Sequence, residues 1–142
     1  MEDAKKIPGN EPSPPLKILL ADDMPMNAEL AVKLLTRRGH NVVAVEDGQQ
    51  AVEQFKSEPF DVILMDVQMP VVDGLQATRM IRKHEAEQPT PSHIPIIAMT
   101  ANDDPDDRRE CKEAGMDGFI TKPIDIKTIV ATIREIIENT PR

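Results

Sequence analysis

The chain has 142 residues, which points to one domain of ordinary size, long enough to bury a core without disulfide staples. Its 17 basic and 25 acidic residues leave a net charge of −8, which argues against direct contact with nucleic acid or adhesion to anionic membrane surfaces. With no Trp, no Tyr and three Phe, the core has to be built from Ile, Val, Leu and Met.

Residues 1–15, MEDAKKIPGNEPSPP, carry four prolines and few apolar groups, and read as a disordered arm or linker. Core-type patterning begins at Leu16 and runs to 139, leaving 140–142 as a tail. KILLA (17–21) is a short continuous apolar run, as expected of a strand covered on both faces. After Pro25 and Asn27, a helical stripe of Ala28, Ala31 and Leu35, with Leu30 and Leu34, stops at Gly39. NVVAV (41–45) reads as the second strand, and Asp47-Gly48 as a turn. Ala51, Val52 and Phe55 form one helix face ending before Pro59. DVILM (61–65) is the third strand, and Asp73 a helix N-cap for Leu75, Thr78 and Ile81. AEQPTPSH (86–93) is a loop and IPIIAM (94–99) the fourth strand. Residues 103–114 predict a weak helix whose apolar groups are Cys111 and Ala114. DGFIT (117–121) is a short fifth strand, and Ile126, Ile129, Val130, Ile133, Ile136 and Ile137 mark a strongly amphipathic last helix. Strands alternating with helices predict an α/β domain: a doubly wound, five-stranded parallel sheet with helices on both faces.

In open parallel sheets, ligands bind beyond the carboxyl ends of the strands. Those ends carry Asp22 and Asp23, then Asp66, then Thr100 and Ala101, then Thr121, Lys122 and Pro123. Three carboxylates held together repel one another, and burial raises their pKa values. A divalent cation relieves this, and oxygen ligands with retained waters suit Mg²⁺. So few carboxylates leave room for an anion on the metal. Lys122 adds positive charge and Thr100 a hydroxyl donor, so the edge is dressed for a phosphoryl group beside a carboxylate able to accept it.

KILLADDMPMN, ILMDVQMPVVDG, PIIAMTA and GFITKP, in that order, resemble the four signature segments of the receiver domain of two-component response regulators. The resemblance covers about residues 16–139, and MDVQMPVVDG with TANDD is most similar to receivers attached to hybrid histidine kinases. It implies the strand order 2-1-3-4-5 of the flavodoxin-like fold. It implies a phosphoprotein: Asp66 accepts a phosphoryl group from the phosphohistidine of a sensor histidine kinase or a phosphotransfer-histidine protein. Asp23, Asp66 and the Gln68 main-chain carbonyl would bind Mg²⁺, with Asp22 acting through water. Lys122, Thr100 and the Ala101 amide would contact the phosphoryl group. Phe119 occupies the switch-aromatic position, the Lys122-Pro123 bond would be cis, and a downstream partner would read the face of the fourth helix, fifth strand and fifth helix. Val72 departs from the usual Met of the pattern, and Gln68 and Asn102 fill variable places that tune dephosphorylation.

Blander readings stand beside these. Asp22 and Asp23 serve equally well as caps of the first helix, Thr100 as an ordinary strand-end residue, Lys122 as a solvated lysine and Phe119 as core. His40, His84 and His93 read as surface residues, and Cys111 as a small buried group. Two other functions compete: a receiver-shaped docking module without phosphorylation, and a phosphatase-type enzyme. A second Asp two residues after the nucleophile would mark the phosphatase, and Gln68 stands there. A flavin domain would need a Ser/Thr/Gly-rich loop where Asp22-Asp23 stand. The domain alone is not expected to turn over a substrate beyond its own phosphorylation and dephosphorylation. A lone Cys111 allows no internal disulfide, no apolar run reaches the roughly 18 residues of a membrane span, and no secretory signal opens the chain. A cytoplasmic location is therefore expected, including as the cytosolic part of a membrane-bound kinase. No kinase segment or output domain is evident up to Arg142, which fits a single-domain regulator or a receiver cut from a hybrid kinase. The proline-rich arm and the hybrid-like wording favour the second.

Overall fold

The computed structural model describes residues 15–69, 71–90, 92–101, 104–122 and 125–139. Five strands, β1 (Lys17–Ala21), β2 (Asn41–Val45), β3 (Val62–Asp66), β4 (Ile96–Thr100) and β5 (Gly118–Thr121), form one parallel sheet in the order β2-β1-β3-β4-β5. They alternate with α1 (Pro25–Arg37), α2 (Gly48–Ser57), α3 (Gly74–Ala86), α4 (Pro105–Ala114) and α5 (Ile126–Asn139). Fold and strand order are those the sequence implied. Most of the arm expected over 1–15 and all of the tail 140–142 lie outside the described residues.

Strand side chains alternate between faces, and this sorts the core into two layers. Ile18, Leu20, Val62, Leu64, Ile97, Met99 and Ile120 pack with Ala31 and Leu35 of α1 and Ile129 and Ile133 of α5. Leu19, Ala21, Ile63, Met65, Ile96 and Ala98 face the other way, onto Ala51 and Val52 of α2, Ala77 and Ile81 of α3, and Cys111 of α4. All five residues of β3 and of β4 are buried, which explains the unbroken apolar runs 62–65 and 96–99 that precede Asp66 and Thr100. Each such Ile or Leu contributes on the order of 1.5–3 kcal/mol when removed from water. Among the described residues, no helix is long and apolar enough to cross a membrane.

Several local expectations shift. Asp47 does not simply turn the chain: it N-caps α2, its Oδ1 accepting from Gln50 N at 2.8 Å. Asp73 caps α3 in the same way, as expected. Helix α4 begins two residues later than anticipated, because Asp104 takes the cap position and Pro105 the first turn. His40 is not a surface residue. It is 7% exposed, and its Nδ1 accepts from Leu16 N at 3.1 Å. His93 is half-exposed but partnered, with Nε2 2.6 Å from Asp117 Oδ1. Asp117 also accepts from Arg82 and from Ile96 N, and buried Glu85 accepts from Arg82 and from Ile94 N. This network ties the end of α3 to the starts of β4 and β5, at the edge of the sheet opposite the strand carboxyl ends.

Candidate functional site

The site is assembled by strand ends. Asp22 follows β1, and its amide donates to Val45 O at 3.1 Å, continuing the ladder one residue past the strand. Its side chain is turned inward, leaving Asp22 1% exposed. Neither Asp22 nor Asp23 is the cap of α1: that position is held by Met24 without a side-chain hydrogen bond. Asp22 Oδ1 instead accepts from Met24 N at 2.9 Å, while Asp23 stays exposed.

Asp66 is the last residue of β3 rather than the first beyond it, registered against Met99 of β4 and 4% exposed. Its Oδ1 accepts from Gln68 N at 3.2 Å, and its Oδ2 lies 2.9 Å from Lys122 Nζ. Lys122 is aimed by its own backbone, since Lys122 N donates to Thr100 O at 2.7 Å. Thr100 closes β4 and is 8% exposed. A cleft of about 500 Å³ brings together Asp23, Asp66, Gln68, Thr100, Ala101 and Lys122, with Met24 and Met69 also lining it. Asp22 lies beneath, its Oδ2 3.9 Å from Lys122 Nζ.

One carboxylate oxygen from each of Asp22, Asp23 and Asp66 lies within 4.8 Å of the others. Asp22 Oδ2 is buried without a hydrogen-bond partner, because Lys122 attracts it from too far away to donate. Burial pushes the Asp22 carboxyl above the usual carboxylate range; the Met24 amide and Lys122 pull it back, and Asp66 adds to the rise. A buried orphan oxygen beside two more carboxylates and an open cleft fits a hard cation that keeps some of its waters, as Mg²⁺ does.

Glycines allow the loop after β3 to sit close to the site. A Cβ on Gly74 would lie 2.2 Å from Asp66 O, and one on Gly48 would lie 2.1 Å from Val72 O. Gly74 N donates to Val67 O, and Gly48 N to Val72 O, so the starts of α3 and α2 both grip this loop. Val71 within it has φ 66°, a left-handed conformation that a β-branched side chain rarely adopts.

Phe119 lies half-buried on β5, opposite Ala98, packed against the core layer beneath α2, α3 and α4. Arg108 of α4 lies over its ring, with Cζ 4.7 Å from the centroid. The Lys122-Pro123 peptide, expected to be cis, falls outside the described residues, as does Asn102. The sequence reading did not anticipate the contact of Arg108 with Phe119, or the roles of Met24 and Met69 in the cleft. No spacing pattern marks them; the opposite network was not anticipated either, although the i, i+3 spacing of Arg82 and Glu85 could have signalled part of it.

Residues 18–134 match the family model described as the response regulator receiver domain. Sensor protein GacS of Pseudomonas syringae pv. syringae is 44% identical over 117 residues, covering 82% of this chain and 13% of that protein. Histidine kinase 1 of Arabidopsis thaliana is 39% identical, covering 83% of the chain and 12% of its own length. The chain thus spans about an eighth of these two relatives. Among solved structures, the receiver domain of sensor histidine kinase PA1611 from Pseudomonas aeruginosa, with a magnesium ion coordinated in its active-site cleft, superposes with a TM-score of 0.78. It is 36% identical, covering 89% of this chain and 100% of that one. The receiver domain of Saccharomyces cerevisiae Ssk1, crystallised with the phosphotransfer protein Ypd1, gives a TM-score of 0.80 at 26% identity, covering 86% and 88%.

Proposed function

The chain belongs to the response regulator receiver family, and on that premise we propose that Asp66 is the residue that takes the phosphoryl group in a phosphorelay. The observation carrying this is the surroundings of Asp66: buried at the end of a central strand, 2.9 Å from Lys122 Nζ, and clustered with Asp22 and Asp23. The donor is a phosphohistidine on a sensor kinase or a phosphotransfer protein. An Asp66 carboxylate oxygen attacks phosphorus; the P–O bond forms as the P–N bond breaks, and the imidazole leaves and takes up a proton. Asp23, Asp66 and the Gln68 carbonyl would hold Mg²⁺, with Asp22 helping through water. When bound, the ion would neutralise the negative charge of the carboxylates and of the incoming phosphoryl oxygens. Lys122 follows the charge as it moves from carboxylate to phosphoryl oxygen, and the Thr100 hydroxyl and Ala101 N–H donate to the remaining oxygens. Exposed Met24, which lines the cleft, and exposed Met26 and Leu30 on α1 just after it offer an apolar surface to the protein that brings the phosphohistidine. Phosphorylation alters Thr100 and Phe119 and is read on the face of α4, β5 and α5.

The domain proper is residues 16–139, preceded by an arm over 1–15, and its similarity to receivers of hybrid kinases favours origin within such a kinase, in a cytoplasmic setting. The test is incubation with acetyl phosphate and Mg²⁺, followed by intact mass. One phosphate should be added, and none after Asp66→Asn or in excess chelator. Folded wild-type protein that stays unmodified with Mg²⁺ present would overturn the reading and leave a docking module.

A further inference from the structure

Helix α4 is anchored unevenly. Its buried residues, Cys111 and Ala114, both lie in its second half, and Gly115 just after it accepts from Arg82 Nε at 2.9 Å. Beside its middle lies a cavity of about 380 Å³, bounded by Asp107, Glu110 and Cys111 on α4 and by Thr100, Gln68 and Leu75 across from it. An element flanked by a void and thinly packed has room to move. Arg108 projects from the first half of α4, which holds no buried residue, and stacks on Phe119, a ring on the strand next to the one that ends in Thr100.

We infer that Arg108 is a positioning residue: its guanidinium, stacked on Phe119, holds the ring and the first half of α4 in the unphosphorylated arrangement and so opposes phosphorylation of Asp66. This rests on Asp66 being the phosphoacceptor. The physical basis is the attraction of a planar cation to the face of an aromatic ring, which at exposed positions corresponds to about two- to five-fold in an equilibrium. Arg suits this better than Lys, since its planar, weakly hydrated guanidinium can lie flat on a ring face. When Thr100 is drawn towards a phosphoryl group, α4 closes on the cavity and the ring changes place, and the stack has to break first. Arg108 therefore sets the threshold of the switch without touching the reacting atoms.

The protein suits a direct test, because its three phenylalanines are its only aromatic residues other than histidine. Full-length chain labelled with fluorophenylalanine gives three ¹⁹F resonances, and Phe119→Leu identifies the one from Phe119. In unphosphorylated Arg108→Gln, that resonance should move towards its position in phosphorylated wild type. The initial rate of phosphorylation by acetyl phosphate should rise about two- to five-fold. Arg108→Lys should fall between the two, because it restores the cation but not its planar fork. The Phe55 and Phe60 resonances should not move, which separates the effect from general loosening. A Phe119 resonance unchanged in Arg108→Gln, or a rate no faster than wild type, overturns the inference. A wild-type chain that takes no phosphate sinks the assignment of Asp66 instead, and the Phe119 resonance of the unphosphorylated variant still decides whether Arg108 holds the ring.

Discussion

The Lys122 ammonium lies 2.9 Å from Asp66 Oδ2, although the two residues are 56 positions apart and stand at the ends of strands separated by β4. The backbone bond from Lys122 N to Thr100 O fixes where the lysine starts, and the end of β3 fixes where the carboxylate waits. The positive charge is thus in place before any phosphoryl group arrives, which is the condition for electrostatic stabilisation without reorganisation.

Replacing Lys122 by Gln should keep the fold but remove that charge. Phosphorylation by acetyl phosphate, followed by intact mass over time, should slow on the order of 10²-fold. A rate within a factor of about two of wild type would show that the lysine only balances the resting carboxylate.

Asp22 should make metal-free protein less stable at neutral pH. Its folded pKa is raised above 3.8, so the folded state keeps the proton to higher pH than the unfolded chain. The stability from the protonated form is full below that value and is lost as pH rises through the folded pKa. Asp22→Asn should therefore melt higher than wild type in chelator at about pH 7 and respond less to added Mg²⁺. Scanning calorimetry with and without the ion checks both; a lower melting temperature for the variant in chelator would contradict the burial argument.

His40 acts in the opposite direction. Burial, with Arg38 nearby, lowers its pKa below 6.5, and its Nδ1 accepts from Leu16 N and so must be unprotonated. This contribution is complete above 6.5 and is lost as pH falls through the folded pKa. In His40→Gln, urea unfolding should show lower stability than wild type at about pH 8 and a flatter decline on the acid side. An unchanged acid slope would point to other groups.

Val71 stores strain beside the site. It is 80% exposed at φ 66°, so its side chain contributes little packing to offset the conformation. Asn accepts the left-handed region more readily, and Val71→Asn should stabilise the protein by about 1 kcal/mol. Val71→Ile should change nothing. Urea denaturation of the three proteins measures both, and equal midpoints throughout would remove strain from the account.

Much of this was legible in one dimension. The runs at 17–21 and 61–65 and the Ile spacing of α5 declare strands buried on both faces and a helix with one buried face, because side-chain period is a local property. Acids and a lysine after such runs mark the ligand edge once the sheet is parallel. Strand ends were less legible: Asp66 and Thr100 belong to their strands because partner strands continue the ladder that far.

By itself the sequence determined the layering of the domain and the chemical inventory of its strand-end edge. Tertiary structure decided what each group meets. It buried Asp22 with an oxygen unpartnered and left its neighbour Asp23 in solvent. It paired Lys122 with Asp66, made an acceptor of His40 and set Arg108 on Phe119. The Lys122 and His40 partnerships join residues 56 and 24 positions apart, and all three depend on strand order, register and crossover packing, which no local period encodes.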